Sequence, residues 1–402
     1  MKCRVAQHVA EIPRSGIRKF FDIVAQSKDI VSLGVGEPDF DTPWHISRAA
    51  VTCLENGGTH YTSNLGTPEL RQAICRYLKR RFDADYEWSD EVLVTVGVSE
   101  AIDLAIRAIC SPGDEVLYHE PCFVSYAPTV RLAHATPVAV ETHVEDEFRL
   151  TVEALEKKVS PKTKAVLLNF PCNPTGATLS RDDMKAILEF CERHDIMLLA
   201  DEVYSELNYE EAVCGSPSAG LRPPAAVRLP SFSAFGEYRD RVILLNGFSK
   251  SWAMTGYRLG YACGPDDIIA AMMKIHQYGI MSAPTLSQAA GVEAMDFGDK
   301  DVDLMRREYR KRRDYLVPVL NAMGLKTLVP KGAFYLFVDI RSTGLDDETF
   351  ALRLLKEHGV ACVPGSAFGK SGAGFVRMSY ATGLEKIRLA AGRIAAFVKS
   401  LA

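Results

Sequence analysis

The chain has 402 residues, 47% of them hydrophobic and 24% charged, so it is long enough to bury a sizeable core in two lobes. Its 47 basic and 51 acidic residues give a formal net charge of -4 without long runs of one sign, so its charge does not favour nucleic acid or an anionic membrane as a partner. A small-molecule substrate fits this composition better.

Neither a secreted nor a membrane-spanning protein is expected. The first residues contain no apolar leader segment, and no run approaches the roughly 18 to 20 unbroken apolar residues that a membrane span requires. We therefore expect a cytoplasmic protein. None of the 10 cysteines stands in a CxxC or other metal-site spacing, so we expect reduced thiols and no metal ion.

The predicted elements begin with a helix that Thr67 caps, with Pro68 at its first position and its end near Arg81. From about residue 90, short apolar runs alternate with segments whose apolar residues recur at helical spacing, as in 102–109 and 184–191. The apolar runs have the length of buried parallel strands and lie at residues 92–96, 115–118, 164–168, 196–200 and 242–245. This alternation predicts an α/β fold with a mostly parallel central sheet between helices.

A smaller α+β domain is expected after about residue 290. There a charged helical stretch leads to two strands and a further helix, at residues 305–315, 333–340, 349–358 and 374–380. We predict a large domain of residues 45–288 and a small domain that combines residues 1–44 with residues 289–402. Residues 211–240, rich in Pro, Gly, Ala and Ser, are expected to form an irregular surface excursion.

The strongest local signal surrounds Lys250, which follows the predicted strand 242–245 after a short turn. In open parallel sheets the crevice at the carboxyl ends of the strands is the usual ligand site, so this lysine is placed to meet a small molecule. Taken alone, a lysine would be interpreted as a solvated surface charge. Ser249 and Arg258 on either side supply a hydroxyl and a guanidinium, the groups expected around a phosphate. These neighbours favour a lysine that faces a phosphorylated cofactor.

A second candidate phosphate cradle lies at Gly97, Val98 and Ser99, where a glycine turn leads into a helix. The start of that helix offers free backbone N–H groups and the positive end of the helix dipole. Ser99 would serve equally well as a plain N-cap. If this segment binds a phosphate, the side chain of Glu100 must point away from it.

Other polar residues also follow predicted strands. Asp201 ends one of them, and a buried carboxylate needs a cationic partner, either an arginine or the protonated pyridine nitrogen of a cofactor. Tyr204 would then hydrogen-bond the phenolic oxygen of the same ring. Asn173 points into the crevice or belongs to an ordinary Asn-Pro turn. Since these positions and Gly97 all lie at the carboxyl ends of strands, we favour one shared site.

The chain resembles the fold-type I pyridoxal-phosphate enzymes of the class I/II aminotransferase family, and in particular the prokaryotic-type branch that includes aspartate and aromatic aminotransferases. The similarity extends from about Ile12 to Phe397. It is carried by LGVGEPDF at 33–40, by residues 61–62, 66 and 70–71, and by NPTG at 173–176, DEVY at 201–204, SKSWAMTGYR at 249–258 and GAFY at 332–335. The resemblance implies an aminotransferase that uses pyridoxal 5'-phosphate.

By this resemblance, Lys250 carries the cofactor as a Schiff base and Asp201 pairs with the pyridine nitrogen. Asn173 and Tyr204 hold the oxygen of the ring, and Phe123 stacks on the face of the ring. From the residues alone, Phe123 would be interpreted as part of the core.

The resemblance also assigns the phosphate and the substrate. The phosphate would be held by the Val98 amide, Ser99, Ser249 and Arg258. Arg377 would bind the substrate α-carboxylate, with Gly36 and Asn173 beside it, although a structural ion pair is the alternative for Arg377. Tyr61 would reach the phosphate of the neighbouring subunit, which implies a homodimer with shared sites.

The implied reaction has two halves, with Lys250 freed by the substrate amine to move the proton of the substrate Cα and 2-oxoglutarate accepting the amino group. A carbon–sulfur β-lyase shares the fold and nearly the same residues. A non-catalytic ligand sensor is less favoured, since no DNA-binding segment precedes Ile12. The preferred amino donor is not predicted, and residues 16–21 are equally compatible with an apolar lid and with an amphipathic surface helix.

Overall fold

The computed structural model describes residues 4–12, 29–210 and 228–401. The strands of these ranges are β1 Val31–Ser32, β2 Val92–Thr95, β3 Glu115–Glu120, β4 Thr136–Glu141, β5 Thr163–Asn169, β6 Met197–Asp201, β7 Val242–Gly247, β8 Gly260–Cys263, β9 Tyr335–Asp339, β10 Val360–Ala361, β11 Val363–Pro364 and β12 Phe375–Ser379. The α-helices are α1 Gln7–Ala10, α2 Trp44–Glu55, α3 Pro68–Phe82, α4 Val98–Ile109, α5 Tyr126–Leu132, α6 Val152–Glu156, α7 Arg181–Arg193, α8 Phe248–Ser251, α9 Asp266–Gly279, α10 Thr285–Phe297, α11 Asp299–Ala322, α12 Asp347–His358 and α13 Leu384–Leu401.

A seven-stranded sheet forms the centre of the fold, in the order β2-β8-β7-β6-β5-β3-β4. Neighbouring strands are parallel except around β8, which runs antiparallel to both β2 and β7. The expected mostly parallel α/β sheet is confirmed, and the five strands predicted from apolar runs end within two residues of their predicted bounds. The sequence pattern misses β4, an edge strand containing Pro137, and the short β8, which begins with Gly260.

Helices cover both faces of this sheet because successive strand residues point to opposite sides. Ala165 and Leu167 of β5 pack in the cluster that contains the apolar face of α4. Val166 and Leu168 pack in the cluster that contains the apolar face of α7. Each fully buried Leu, Ile or Val in these layers contributes about 1.5–3 kcal/mol to the free energy of unfolding.

The strand register carries several polar residues to one edge of the sheet. Asn169 at the end of β5 pairs with Asp201 at the end of β6, and Asp201 pairs with Leu245 of β7. Lys250 follows β7 directly on α8. The carboxyl ends of these parallel strands therefore meet where ligand crevices form in open α/β sheets.

A second, three-stranded antiparallel sheet lies in the C-terminal part of the chain, in the order β11-β12-β9. β1 pairs in parallel with β10, so the chain at Val31 packs with residues near Val360. On this pairing we propose the division predicted above, with residues 45–288 as the large domain and residues 1–44 and 289–402 as the small one.

The expected surface excursion at 211–240 is partly wrong. Residues 211–227 lie outside the described ranges, as does the segment 16–21 that was considered as a lid. Over residues 228–240, however, Leu229, Phe232 and Phe235 are buried. The Phe232 N–H donates to Glu202 Oε1 at 2.8 Å, so this part of the segment belongs to the core beside β6.

The described residues show neither a membrane-spanning helix nor a metal-site cluster. They contain no helix that is both long and apolar enough to span a membrane. In the same ranges, no three His, Cys, Asp or Glu residues are grouped as a metal site would require.

Candidate active site

A cavity of about 570 Å³ opens at the carboxyl edge of the central sheet. It brings together side chains from both sheets and from the segment that follows β1. Apart from Tyr61 and Gly97, its lining includes the residues nominated from the sequence: Gly36, Val98, Ser99, Phe123, Asn173, Asp201, Tyr204, Ser249, Lys250, Arg258 and Arg377. The positions that the sequence places at separate strand ends therefore share one space.

Lys250 projects into this cavity from α8. Its Nζ donates a hydrogen bond to the carbonyl oxygen of Gly36 at 2.7 Å. Burial, together with the nearby guanidinium groups of Arg377 and Arg258, lowers the pKa of Lys250 from 10.5 to about 8. The carboxylates of Glu37 and Asp201 act in the opposite direction. A substantial fraction of the amine is therefore neutral near physiological pH, as a nucleophile or base requires.

Amine-selective labelling tests this pKa directly. In the cofactor-free protein, we expect the labelling rate of Lys250 to rise with pH and reach its midpoint near pH 8, because the neutral amine is the reactive form. Peptide mass spectrometry would measure Lys250 and the exposed Lys356 of α12 in the same sample. A midpoint for Lys250 near the ordinary lysine value of about 10.4 would contradict its assigned environment.

Asp201 lacks the cationic hydrogen-bond partner expected from the sequence. Its Oδ2 accepts from the Tyr126 hydroxyl at 2.6 Å and its Oδ1 accepts from the Val203 N–H at 3.2 Å. Burial raises the pKa of Asp201 to about 6, although both hydrogen bonds and the charge of Lys250 lower it. Within the described residues the arginine alternative is wrong, so the carboxylate remains open to a cation that enters the cavity.

Sequence reasoning misses Tyr126 as the partner of Asp201. The two residues are 75 positions apart and meet because α5 packs over the ends of the strands. The signal that could have identified Tyr126 is its position three residues after Phe123, which brings both rings near the cavity. Their rings meet edge to face with centroids 5.9 Å apart.

Arg377 is held by neutral oxygens. Its Nη1 donates to Asn173 Oδ1 and its Nη2 donates to the Gly34 carbonyl, both at 2.8 Å. The side chain is buried and its Nε has no hydrogen-bond partner among the described residues. The alternative of a structural ion pair is therefore wrong in this part of the chain, and the buried cation lacks an anionic partner.

Asn169 connects these groups, although it was not nominated from the sequence. Its Oδ1 accepts from the Asn173 N–H and its Nδ2 donates to the Asp201 carbonyl, both at 2.9 Å. The turn at Asn173 is thus fixed to β6 rather than being an isolated Asn-Pro turn. Arg377 and Asp201 are positioned by one buried network.

Tyr204 and Tyr335 form a pair at the cavity wall, with their hydroxyl oxygens 2.8 Å apart. The guanidinium carbon of Arg377 lies 4.4 Å from the centre of the Tyr335 ring, a cation–π contact. Tyr335 is also 3.0 Å from the position a Cβ on Gly36 would occupy. Glycine at residue 36 therefore keeps open the space beside Arg377.

The candidate phosphate cradle is formed by two segments that meet. Gly97 has φ +77°, and a Cβ there would lie 2.8 Å from Arg258 Nη2. As the first helical residues of α4, Val98 and Ser99 carry N–H groups that have no acceptor within the helix. Gly97 is the N-cap residue, so the interpretation of Ser99 as a plain N-cap is wrong.

Tyr61 lies away from the cavity of its own chain and is 84% exposed. Asn64 Nδ2 donates to the Met281 carbonyl at 2.6 Å, which ties the Tyr61 segment to the chain that follows α9. Tyr278, Ile280 and Met281 are also exposed there, with Tyr278 at 87%. We call these four exposed residues, Tyr61, Tyr278, Ile280 and Met281, the apolar patch.

Comparison with known proteins gives a consistent set of relatives. The family model of aminotransferase class I and II matches residues 28–394. The chain is 44% identical to the putative aminotransferase YugH of Bacillus subtilis over 99% of both chains, and 44% identical to the aspartate aminotransferase of Pyrococcus abyssi over 94% of both. It is also similar to the crystal structure of an aromatic aminotransferase from Pyrococcus horikoshii, with a TM-score of 0.87, 42% identity and coverage of 96% of this chain and 100% of that one.

Proposed function

Because the chain belongs to the aminotransferase class I and II family, we propose that it transfers the α-amino group of an amino acid to a 2-oxo acid, with 2-oxoglutarate as the acceptor. The enzyme is an aminotransferase of fold type I that depends on pyridoxal phosphate. The observation that carries the proposal is the convergence of Lys250, Asp201 and Arg377 on one cavity. We further propose that the protein works in the cytoplasm.

The residues of the cavity fit the cofactor. The carboxylate of Asp201 is buried without a cationic hydrogen-bond partner in the described ranges, which suits a protonated ring nitrogen. Ser249, Arg258 and the first turn of α4 supply the donors that a phosphate requires. We assign Asn173 and Tyr204 to the ring oxygen and Phe123 to the face of the ring.

Bound pyridoxal phosphate supplies an electron sink for the electron pair that remains when the substrate Cα loses its proton. Asp201 holds a proton on the ring nitrogen, since an ionised carboxylate stabilises a neighbouring cation. Arg377 binds the substrate α-carboxylate through two parallel hydrogen bonds and so orients Cα toward Lys250. Lys250 Nζ would accept the proton from Cα and then donate it to the carbon that carried the aldehyde of the cofactor, so that hydrolysis releases the oxo acid.

We propose that Tyr126 sets the pH range in which Asp201 performs this task. The Tyr126 hydroxyl lowers the pKa of Asp201, so Tyr126→Phe should raise that pKa above about 6. We expect the loss of cofactor affinity at acid pH to begin at higher pH in the variant, with affinity about tenfold weaker at pH 6.5. Cofactor titration monitored by absorbance measures both effects.

Tyr118→Phe provides the control, because Tyr118 is a partly buried tyrosine on β3 outside the lining of the cavity. A pH profile of Tyr126→Phe that coincides with those of the wild type and this control would show that the hydroxyl does not tune Asp201.

We also propose a homodimer that contacts through the apolar patch and places Tyr61 at the phosphate of the neighbouring subunit. Exposed tyrosines and aliphatic side chains in one patch favour burial against another protein surface. The absence of Tyr61 from the cavity of its own chain agrees with a role in trans.

Subunit mixing tests shared active sites. Tyr61→Ala and Lys250→Ala are each expected to reduce activity, but a hybrid dimer contains one site in which both residues are intact. Mixed, refolded subunits should recover about a quarter of wild-type activity, because half of the dimers are hybrids with one intact site of two. Dimers that show no recovery would place Tyr61 in a site that is not shared.

A panel of amino donors tests the proposed reaction, with 2-oxoglutarate or pyruvate as the acceptor and both products measured. We expect a new amino acid to form in step with a new oxo acid, and to form faster with 2-oxoglutarate than with pyruvate. Release of pyruvate and ammonia from a cysteine-type donor without an acceptor would instead identify a carbon–sulfur β-lyase.

A further inference from the structure

Glu100 lies in the first turn of α4, the helix whose start we assign to the cofactor phosphate. A carboxylate in a first turn is favourable for the helix dipole, but it repels a phosphate bound at the same end. In this structure both oxygens of the Glu100 carboxylate are engaged by donors other than the first N–H groups of the helix. Glu100 Oε2 accepts from the Val96 N–H at 2.5 Å and Glu100 Oε1 accepts from His276 Nδ1 at 2.7 Å.

His276 is well placed to keep Glu100 in this orientation. Its side chain is fully buried, and its Nε2 has no hydrogen-bond partner among the described residues. In the same ranges, the hydrogen bond from Nδ1 to Glu100 is therefore the one that the imidazole ring makes. The backbone at this position is also fixed, because the His276 carbonyl accepts the N–H groups of Ile280 at 2.8 Å and Met281 at 2.9 Å. The backbone that carries the imidazole is therefore anchored at the end of α9.

We propose that His276 is a positioning residue for the cofactor phosphate. It engages one oxygen of the Glu100 carboxylate, so that this charge does not turn toward a phosphate at Val98 and Ser99, while the other oxygen accepts from the Val96 N–H and fixes the turn at Gly97. This inference rests on the proposed function, since it requires a phosphate at Val98 and Ser99.

The prediction concerns the phosphate and not the ring of the cofactor. The apo-protein should be titrated with pyridoxal phosphate and with pyridoxal, which has the same ring without the phosphate. For His276→Ala we expect affinity for pyridoxal phosphate to fall about tenfold while affinity for pyridoxal is unchanged, because the freed carboxylate acts only on the phosphate. Binding is read from cofactor absorbance and protein fluorescence, without any measurement of turnover.

Two further variants separate this role from simple packing. The double variant with Glu100→Gln added to His276→Ala should regain the affinity, because the repelling charge is removed. His276→Asn should retain it, because an amide N–H can replace Nδ1–H as the donor, and this variant keeps the buried site filled if alanine prevents folding.

Equal losses for pyridoxal phosphate and pyridoxal, or no recovery with Glu100→Gln, would overturn the inference. If the wild type prefers pyridoxal phosphate and His276→Ala keeps the same preference, the role of His276 is overturned but the phosphate site is not. A wild-type protein without any preference for the phosphorylated form would overturn the phosphate site and the inference together.

Discussion

The Lys250→Ala variant is expected to lose about 10,000-fold in the rate of amino transfer, because it lacks both the nucleophile and the group that moves the Cα proton. Among the described residues the lining offers no second amine, since its other cations, Arg258 and Arg377, are guanidinium groups that stay protonated. The rate should be measured under single-turnover conditions with the cofactor in excess. The variant is still expected to bind the cofactor weakly, through the phosphate and ring contacts.

Lys356→Ala is the matched control, because Lys356 is an exposed lysine on α12 outside the lining of the cavity. It should retain wild-type rates. A Lys250→Ala variant that transfers amino groups within tenfold of the wild-type rate would show that another residue moves the proton.

Asp201→Asn is expected to reduce kcat by about 1,000-fold, because a neutral amide cannot hold the ring nitrogen protonated. The same substitution should not reduce the stability of the apo-protein at pH 7.5, although it reduces kcat. Burial raises the pKa of Asp201 from 3.8 to about 6, so the folded apo-protein keeps a proton that the unfolded chain releases in that window. The contribution of this group to stability therefore falls as pH rises from about 4 to 6, and the ionised carboxylate is a cost at pH 7.5.

Removing that cost should leave the Tm of the apo-protein at pH 7.5 equal to or above the wild-type value, since the Tyr126 hydroxyl can accept from the new amide. Calorimetry of the apo-proteins measures the difference. Asp182→Asn on the exposed face of α7 is the control and should change neither kcat nor the Tm of the apo-protein. A Tm well below that of the wild type would mean that Asp201 serves the fold rather than the reaction.

The central sheet was predictable because buried parallel strands leave a simple mark in the sequence. Continuous apolar runs located β5, β6 and β7, and Asp201 and Lys250 follow two of these runs closely. Since parallel strands end at a common edge, their convergence followed from fold class alone. Arg377 did not follow in this way, because β12 belongs to the second sheet, and only resemblance to a family nominated it.

The parts that escaped prediction are contacts between distant segments. Tyr126 reaches Asp201, and the Gly34 and Gly36 carbonyl groups reach Arg377 and Lys250 across more than 200 residues. A carbonyl group is present at every position, so no residue type signals this use. Glu100 shows the opposite case, since a phosphate at the first turn of α4 already required that its side chain point elsewhere, and in the structure its carboxylate contacts the Val96 N–H and His276.

The most direct test of aminotransfer is a single-turnover experiment on the holoenzyme with one amino donor and no oxo acid. We predict that the absorbance of the cofactor aldehyde is replaced by that of its amine form, with one oxo acid released per site and no ammonia. Subsequent addition of 2-oxoglutarate should restore the first spectrum and yield glutamate. Continuous release of ammonia from the donor alone, or a spectrum that no donor changes, would contradict the account.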